Sequence, residues 1–242
     1  MKKETVEKIL KETEAGYDLI SKKFSQTRKK FWGSMEFIGE YAEKGDRVLD
    51  FGCGNGRILE ILGGKNIDYV GVDISENLIK LAEKKRLSEK GFRNIRFLKI
   101  DHGFKRLPFP DESFDVICAI AVFHHIPGEK ERIEKARELY RLLKPGGKLV
   151  VSVWDLWQKR YIGGIIRNWK DKILKKSELD WNDCFVGFKN NEEQSFVRYH
   201  HAFFEGEMRK LFKKAGFSIK RSGKAGGNIF IAGIKGSHKP VD

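Results

Sequence analysis

The sequence predicts a doubly wound α/β fold, with a mostly parallel seven-stranded sheet, helices on both faces and a last antiparallel strand. Three observations carry that expectation. From Arg47 onward, short runs rich in Val, Ile and Phe alternate with longer amphipathic segments. A glycine turn, Gly52-Cys53-Gly54-Asn55-Gly56, follows the first of these runs directly. Acidic residues stand at the ends of the first three runs, at Asp50, Asp73 and Asp101.

Taken in order, residues 4–20 mix charges with Val6, Ile9, Leu10, Tyr17 and Leu19 and read as a helix. Ser34–Ala42 reads as a second helix, with Ser34 as its N-cap. Strand Arg47–Phe51 leads to helix Asn55–Leu62, and strand Ile67–Asp73 leads to a helix over Ser75–Glu89 capped by Ser75. Asn94–Ile100 and Phe114–Ile120 are strands, Glu129–Leu143 a helix closed by Pro145-Gly146-Gly147, and Lys148–Val153 a strand. Residues 154–204 break the rhythm with aromatic and basic residues and form an insertion. Helix Glu205–Ala215 and strands Phe217–Arg221 and Asn228–Ile234 resume it. The glycine-rich link between these two strands predicts an antiparallel pair. The tail Gly236–Asp242 is expected to be loose. The chain thus divides as one domain into an N-terminal segment (1–45), a core (46–153), the insertion (154–204) and a C-terminal helix with strands (205–236).

The 242 residues, 40% hydrophobic and 34% charged, suffice for one generous core without staples. Cys53, Cys118 and Cys184 are scattered and form no CxxC pair, which argues against a disulfide framework or a zinc site and fits a reducing compartment. The charged start of the chain has no apolar signal region, and no run reaches membrane-spanning length. A cytoplasmic protein is expected. The net charge of +14 sits on the flanks. Residues 1–33 carry 9 Lys and Arg against 5 Asp and Glu, and residues 154–242 carry 18 against 10, whereas 34–153 nearly balance at 21 against 19. Basic flanks suit a polyanion such as nucleic acid, though a merely lysine-rich soluble surface reads the same way.

The glycine turn is GxGxG with an acid two residues before it, not the GxGxxG of a dinucleotide site. A pyrophosphate needs free amides, whereas a methionyl ammonium gains from a carboxylate such as Asp50. Asp73 stands where a ribose diol would lie, and Asp101 where an adenine amino group would. All three fall at the carboxyl edge, where open sheets bind ligands.

The run from Arg47 to Val153, with Phe114-Asp115-Val116-Ile117 and Leu143-Lys144-Pro145-Gly146-Gly147, resembles the class I S-adenosylmethionine-dependent methyltransferases, whose fold is Rossmann-like. That resemblance implies S-adenosylmethionine as cofactor and S-adenosylhomocysteine as product, with no metal. It assigns Asp50, Gly52 and Gly54 to the methionine end, Asp73 to the ribose, and Asp101 with His102 to the adenine. Asn55, Ile74 and Ala119 complete the expected cofactor site.

The flanks narrow the likeness. Phe24-Ser25-Gln26-Thr27-Arg28 with Trp32, Ala121-Val122-Phe123-His124-His125, and the block from Arg198 to Met208 resemble the tRNA wobble-uridine methyltransferases. Asp183-Cys184-Phe185-Val186 is a weaker echo of that family's insertion. Members of that family esterify 5-carboxymethyluridine at position 34. The chain departs from the pattern at His200, in place of a tyrosine, at Phe204, in place of a basic residue, and in its compact insertion.

The resemblance implies the tRNA anticodon arm as partner and, from eukaryotic relatives, a small zinc-binding activator subunit, for which no docking edge is marked. An ionised carboxylate acceptor needs no general base, so orientation is the main requirement. Arg28 is the candidate clamp, and His125 and His124 are candidates for orienting the uridine; a packed turn explains the His pair equally simply. Gln158–Lys176 carries seven basic residues against one acid, interleaved with aromatics. Trp154, Lys170 and Lys172 are therefore candidate acceptor-binding residues, with an amphipathic, core-packed helix as the plain alternative, and the resemblance adds Trp32, Arg198, Tyr199 and His201. A small-molecule methyltransferase and a nonenzymatic partner subunit of the same fold are the competing readings.

Overall fold

The computed structural model describes residues 1–28, 30–189 and 195–236. Its strands are β1 (Arg47–Phe51), β2 (Ile67–Asp73), β3 (Phe92–Lys99), β4 (Phe114–Ile120), β5 (Leu143–Trp154), β6 (Asp183–Lys189), β7 (Ser195–His201), β8 (Phe217–Ala225) and β9 (Asn228–Lys235). Its helices are α1 (Lys3–Thr27), α2 (Leu59–Leu62), α3 (Glu76–Arg86), α4 (Glu129–Leu142), α5 (Lys159–Ile173) and α6 (Glu205–Lys214). Seven strands form one sheet in the order β3-β2-β1-β4-β5-β9-β8. Pairing is parallel from β3 to β5, and β9 runs antiparallel to both β5 and β8.

The inner strands are near-continuous apolar runs because helices cover both of their faces. Alternate side chains go to opposite sides. On one side Leu49, Val70, Ile117 and Val151 pack with Leu139 and Phe212. On the other Val48, Tyr69, Val116 and Val150 pack with Ile38 and Leu62. The chain order reverses between β1 and β4, which opens a crevice at their carboxyl ends.

Three local expectations are corrected. The first helix does not stop near residue 20 but runs to Thr27, so the Phe24–Thr27 block is its last turn. The second helix is a 3₁₀ helix, Gly33–Tyr41, and Ser34 does not cap it. It lies so close to α2 that a Cβ on Gly39 would meet the Ile61 carbonyl at 2.6 Å. The helix expected over Asn55–Leu62 shrinks to α2, because Gly54 and Gly56 hold positive φ (55° and 72°), which a right-handed helix cannot use. Ser75 caps α3 as expected, its Oγ accepting from the Leu78 N–H at 3.1 Å. The tail expected to be loose lies outside the described residues beyond Gly236.

The insertion is structured. Helix α5 packs on the antiparallel β6–β7 pair around Leu156, Ile165, Cys184 and Ala202, with Trp154, Trp157, Tyr161 and Trp169 against them. Phe204, where a basic residue was expected, stacks on Trp157 with ring centroids 4.3 Å apart. His201, a candidate acceptor contact from the sequence, is placed as a buried clamp. Its Nδ1 and Nε2 each lie 2.7 Å from a carboxylate oxygen, of Asp183 and Glu207 respectively. Burial opposes a charged ring there, but the two hydrogen bonds outweigh it and raise the pKa above the ordinary value. The clamp joins the hairpin to α6. His201→Ala leaves Asp183 fully buried without its imidazole partner and should cost about 3 kcal/mol, read as a lower urea midpoint at unchanged slope. Because folding raises the His201 pKa, its contribution is complete below the ordinary value of 6.5 and should fade as pH rises through the folded value.

Candidate active site

A cleft opens at the carboxyl ends of β1, β2 and β4. The chain turns sharply out of β1: the Gly52 and Cys53 amides donate to the Val72 carbonyl at 2.8 and 3.0 Å. Gly52 has φ +75°, and a Cβ there would lie 2.3 Å from the Val122 side chain, so the turn tolerates only glycine. Asp73 fixes the loop from β2. One carboxylate oxygen accepts from the Gly54 amide at 2.8 Å and the other from the Ser75 amide at 2.9 Å. Asp50 accepts from the Tyr69 hydroxyl at 2.7 Å.

Both acids are buried, and neither forms an ion pair among the described residues. Burial pushes the Asp50 carboxyl up to about 7, against the Tyr69 hydrogen bond, and Asp73 up to about 6, against the backbone donors. A buried carboxylate without a counter-charge is costly. A ligand bringing a cation to Asp50 and hydroxyl donors to Asp73 relieves that cost, which is the donor set of S-adenosylmethionine.

Helix α1 roofs the cleft and is fastened along its length. Glu14 Oε2 meets His102 Nδ1 at 2.5 Å and its Oε1 meets Lys99 at 2.8 Å. Asp18 Oδ1 accepts from Ser75 Oγ at 2.6 Å and from the Asn77 amide at 3.0 Å. Asn55 donates to Ser25 Oγ at 3.0 Å, tying the glycine turn to the end of α1. Tyr17 lies 2.6 Å from His125 Nε2.

Of the residues singled out from the sequence, Asp50, Gly52, Gly54, Asn55, Asp73, Ile74 and His102 line the cleft, as do Arg28, Trp32, His125 and Trp154. Others are placed elsewhere. Ala119 is in the core, and the lining passes to Ile120, Ala121 and Val122 just beyond it. Asp101 is 91% exposed, its carboxylate 3.7 Å from Lys99, so the strand end offers His102 to the cleft instead. His124 is fully buried behind His125. Lys170 is exposed on α5, while Lys172 donates to the Leu179 carbonyl and sits 5.5 Å from the Trp181 ring. Arg198 and Tyr199 are buried on β7.

Among the lining residues that the sequence does not single out are three with polar or charged groups, Tyr17, Arg57 and Lys135. The sequence offers Tyr17 only as one of the apolar residues of the first helix, and nothing local signals a partner 108 residues away. Arg57 stands over the Trp32 ring at 3.8 Å, and burial lowers its pKa to about 10. Lys135 reaches in from α4.

Beside the cleft His124, His125 and His200 bring ring nitrogens within 4.8 Å of one another. His200 lies in a stack, 5.1 Å from His124 and 5.4 Å from Trp154. Burial, then the positive Arg198, depress His125 to about 3; burial likewise drives His124 and His200 down. The ring is therefore neutral at His125. Its Nδ1–H donates to the Tyr199 carbonyl at 3.0 Å, so Nε2 accepts from the Tyr17 hydroxyl.

A doubly wound sheet of this order, with a glycine turn and two buried acids at its carboxyl edge, is the architecture of the class I S-adenosylmethionine-dependent methyltransferases, and the chain is an enzyme of that class. Residues 49–151 match the methyltransferase domain family. Among similar proteins, the tRNA (carboxymethyluridine(34)-5-O)-methyltransferase of Schizosaccharomyces pombe is 29% identical over 227 residues, 90% of this chain and 94% of that one. The Arabidopsis thaliana enzyme of the same name is 34% identical over 143 residues, 59% of this chain but only 32% of its own length. Among solved structures, a methyltransferase from Methanosarcina mazei is 24% identical with a TM-score of 0.69, covering 86% of this chain and all 100% of its own. A chain of the complex between the Haloferax volcanii Trm112 methyltransferase activator and a methyltransferase has a TM-score of 0.67 at 18% identity, covering 94% and 99%. Among the described residues no helix is long and apolar enough to cross a membrane.

Because Asp50 must lose its proton to hold an ammonium, S-adenosylmethionine should bind more weakly as pH falls below about 7, approaching tenfold per pH unit. Calorimetry between pH 5.5 and 8 reads this, and Asp50→Asn should flatten the profile. Asp73→Ala removes the acceptor of two loop amides and should weaken the cofactor at least ~10-fold; an unchanged dissociation constant would exclude Asp73 from the site.

Proposed function

We propose that the enzyme methylates the carboxylate of 5-carboxymethyluridine at the wobble position of tRNA. The observation that carries this reading is the position of Arg28. It follows the last turn of α1 and lines the same cleft as the glycine turn, so its guanidinium meets an acceptor at the cofactor site. Burial first and the neighbouring positive Arg198 second lower its pKa. That field suits an anionic acceptor. The relatives named above support the same acceptor.

Bound S-adenosylmethionine would supply an electrophilic methyl group on sulfur. Asp50, Gly52, Gly54 and Asn55 would hold its methionine end, Asp73 and Ile74 the ribose, and His102 the adenine side. A carboxylate with a pKa near 4 is already ionised at neutral pH, so no residue need remove a proton. Neutral His125, with both ring nitrogens engaged, therefore orients rather than acts as a base. Arg28 presents a planar fork that fixes a carboxylate bidentately. Trp32 and Trp154 line the cleft and would flank an unstacked uridine. The exposed Lys170, Lys175 and Lys176 extend the positive surface along α5 toward the anticodon arm. An activator subunit like that of the Haloferax complex belongs to the same proposal.

Mass spectrometry of tRNA nucleosides from a strain lacking the gene tests the proposal: 5-methoxycarbonylmethyluridine should vanish while the free acid accumulates. An unchanged nucleoside profile would sink it. Arg28→Ala should reduce turnover on tRNA by about 100-fold or more and spare cofactor affinity. Replacing Lys170, Lys175 and Lys176 by Ala should weaken tRNA binding and reduce the slope of log affinity against log salt by about 2.

A further inference from the structure

We propose that Arg198 is the residue that makes the acceptor pocket selective for an ionised carboxylate: together with Arg28 it forms a buried anion site that accepts a carboxymethyl group and rejects the neutral amide. The inference rests on the carboxylate-acceptor reading above and adds to it the source of charge discrimination.

Arg198 is only 3% exposed, yet its Nε and Nη1 have no hydrogen-bond partner, and it makes no ion pair among the described residues. Its guanidinium instead lies against aromatic faces, 5.2 Å from the Trp154 ring centroid and 5.1 Å from that of Phe188. Trp154 lines the cleft, as does Tyr17, whose hydroxyl senses the Arg198 charge. The groups that sense the Arg198 charge are Arg28, Tyr17 and the three clustered histidines. None of them is an anion. Among the described residues this buried guanidinium thus stands beside the cleft-lining Trp154 without an anionic partner, near enough to Arg28 for the two charges to repel, and its spare N–H donors call for a planar acceptor-only group.

The histidines do not turn the site into a cation site. His124 Nδ1 accepts from the Trp154 amide at 3.3 Å, which leaves the proton on Nε2 and no lone pair there for a metal. Two neighbouring guanidiniums repel a metal ion further.

A cation beside the carboxylate stabilises the bound acceptor at least as much as the transition state, in which the oxygen is losing its charge to the new oxygen–carbon bond as the carbon–sulfur bond breaks. Arg198 therefore acts on binding more than on the chemical step. It also disfavours the product, since the ester carries no charge to answer the guanidinium. An amide in the same place leaves a buried cation unpaired, a cost of the kind that separates cognate from near-cognate ligands.

Arg198→Met and Arg198→Lys test this with anticodon stem-loop RNA carrying either 5-carboxymethyluridine or 5-carbamoylmethyluridine at position 34. Binding is measured by fluorescence anisotropy in the presence of S-adenosylhomocysteine. The wild-type enzyme should prefer the carboxylate RNA by about 10-fold or more. Arg198→Met should lose that preference while keeping its affinity for the amide RNA and for S-adenosylhomocysteine. Its KM for the carboxylate RNA should rise about 10-fold with kcat changed by less than about threefold, and Arg198→Lys should recover part of the preference. An Arg198→Met enzyme that still prefers the carboxylate RNA, or that loses both RNAs equally, overturns the proposal. If the wild-type enzyme methylates neither RNA, the tRNA reading fails on its own, and uracil-5-acetic acid alone becomes the probe, followed by tryptophan fluorescence. Binding lost in Arg198→Met then supports the anion site, and binding that is equal in both proteins or absent from both overturns it.

Discussion

Two carboxylates held out of water at neighbouring strand ends are the constraint on which the rest of the site depends. Asp50 and Asp73 sit on β1 and β2 at the carboxyl edge, and neither has a cationic partner among the described residues. Their environment supplies only partial compensation: a tyrosine hydroxyl for one and two loop amides for the other. The amides are the structural consequence. By accepting from Gly54 and Ser75 together, Asp73 sets the glycine turn and the start of α3 in one geometry. The same buried charge that shapes the loop makes it receptive to a cationic ligand.

The first helix turns that crevice into an enclosed site. Contacts from Glu14, Tyr17, Asp18 and Ser25 reach β3, the end of β4, α3 and the glycine turn in succession. One rigid element therefore touches both the cofactor side and the acceptor side. Tyr17 is the joint between them, since its hydroxyl holds His125 in a neutral tautomer whose other nitrogen is already committed to β7. Such a histidine is a fixed wall and not a proton carrier.

The insertion divides its aromatic residues between two tasks. Trp157 and Trp169 are core, packed over Ile165 and Cys184. Trp154 instead lines the cleft and stacks with His200, where the sequence reading expected a tyrosine. Trp181, 56% exposed beside Lys172, was not singled out from the sequence because it lies beyond the dense basic stretch. The basic residues are likewise divided: Lys172 is spent on the chain's own carbonyl, while Lys170, Lys175 and Lys176 remain open to solvent.

The sequence by itself determined the sheet and most of the cofactor cleft. Strand runs buried on both faces must be continuously apolar, and a turn with positive φ must be glycine, so β1, β2, β4, β5 and the Gly52–Gly56 loop are written locally. Asp50 and Asp73 were legible for the same reason, as their place at a strand end follows from the run that precedes them. Only the tertiary structure decided which neighbours point inward. At the end of β3 it turned His102 into the cleft and left Asp101 in water, a choice made by Glu14 from a helix 88 residues away. It made His201 a buried clamp between two carboxylates, and left Arg198 buried with no carboxylate partner among the described residues. Those outcomes depend on which long-range partner arrives to satisfy a polar group, and no periodicity or local spacing encodes that meeting.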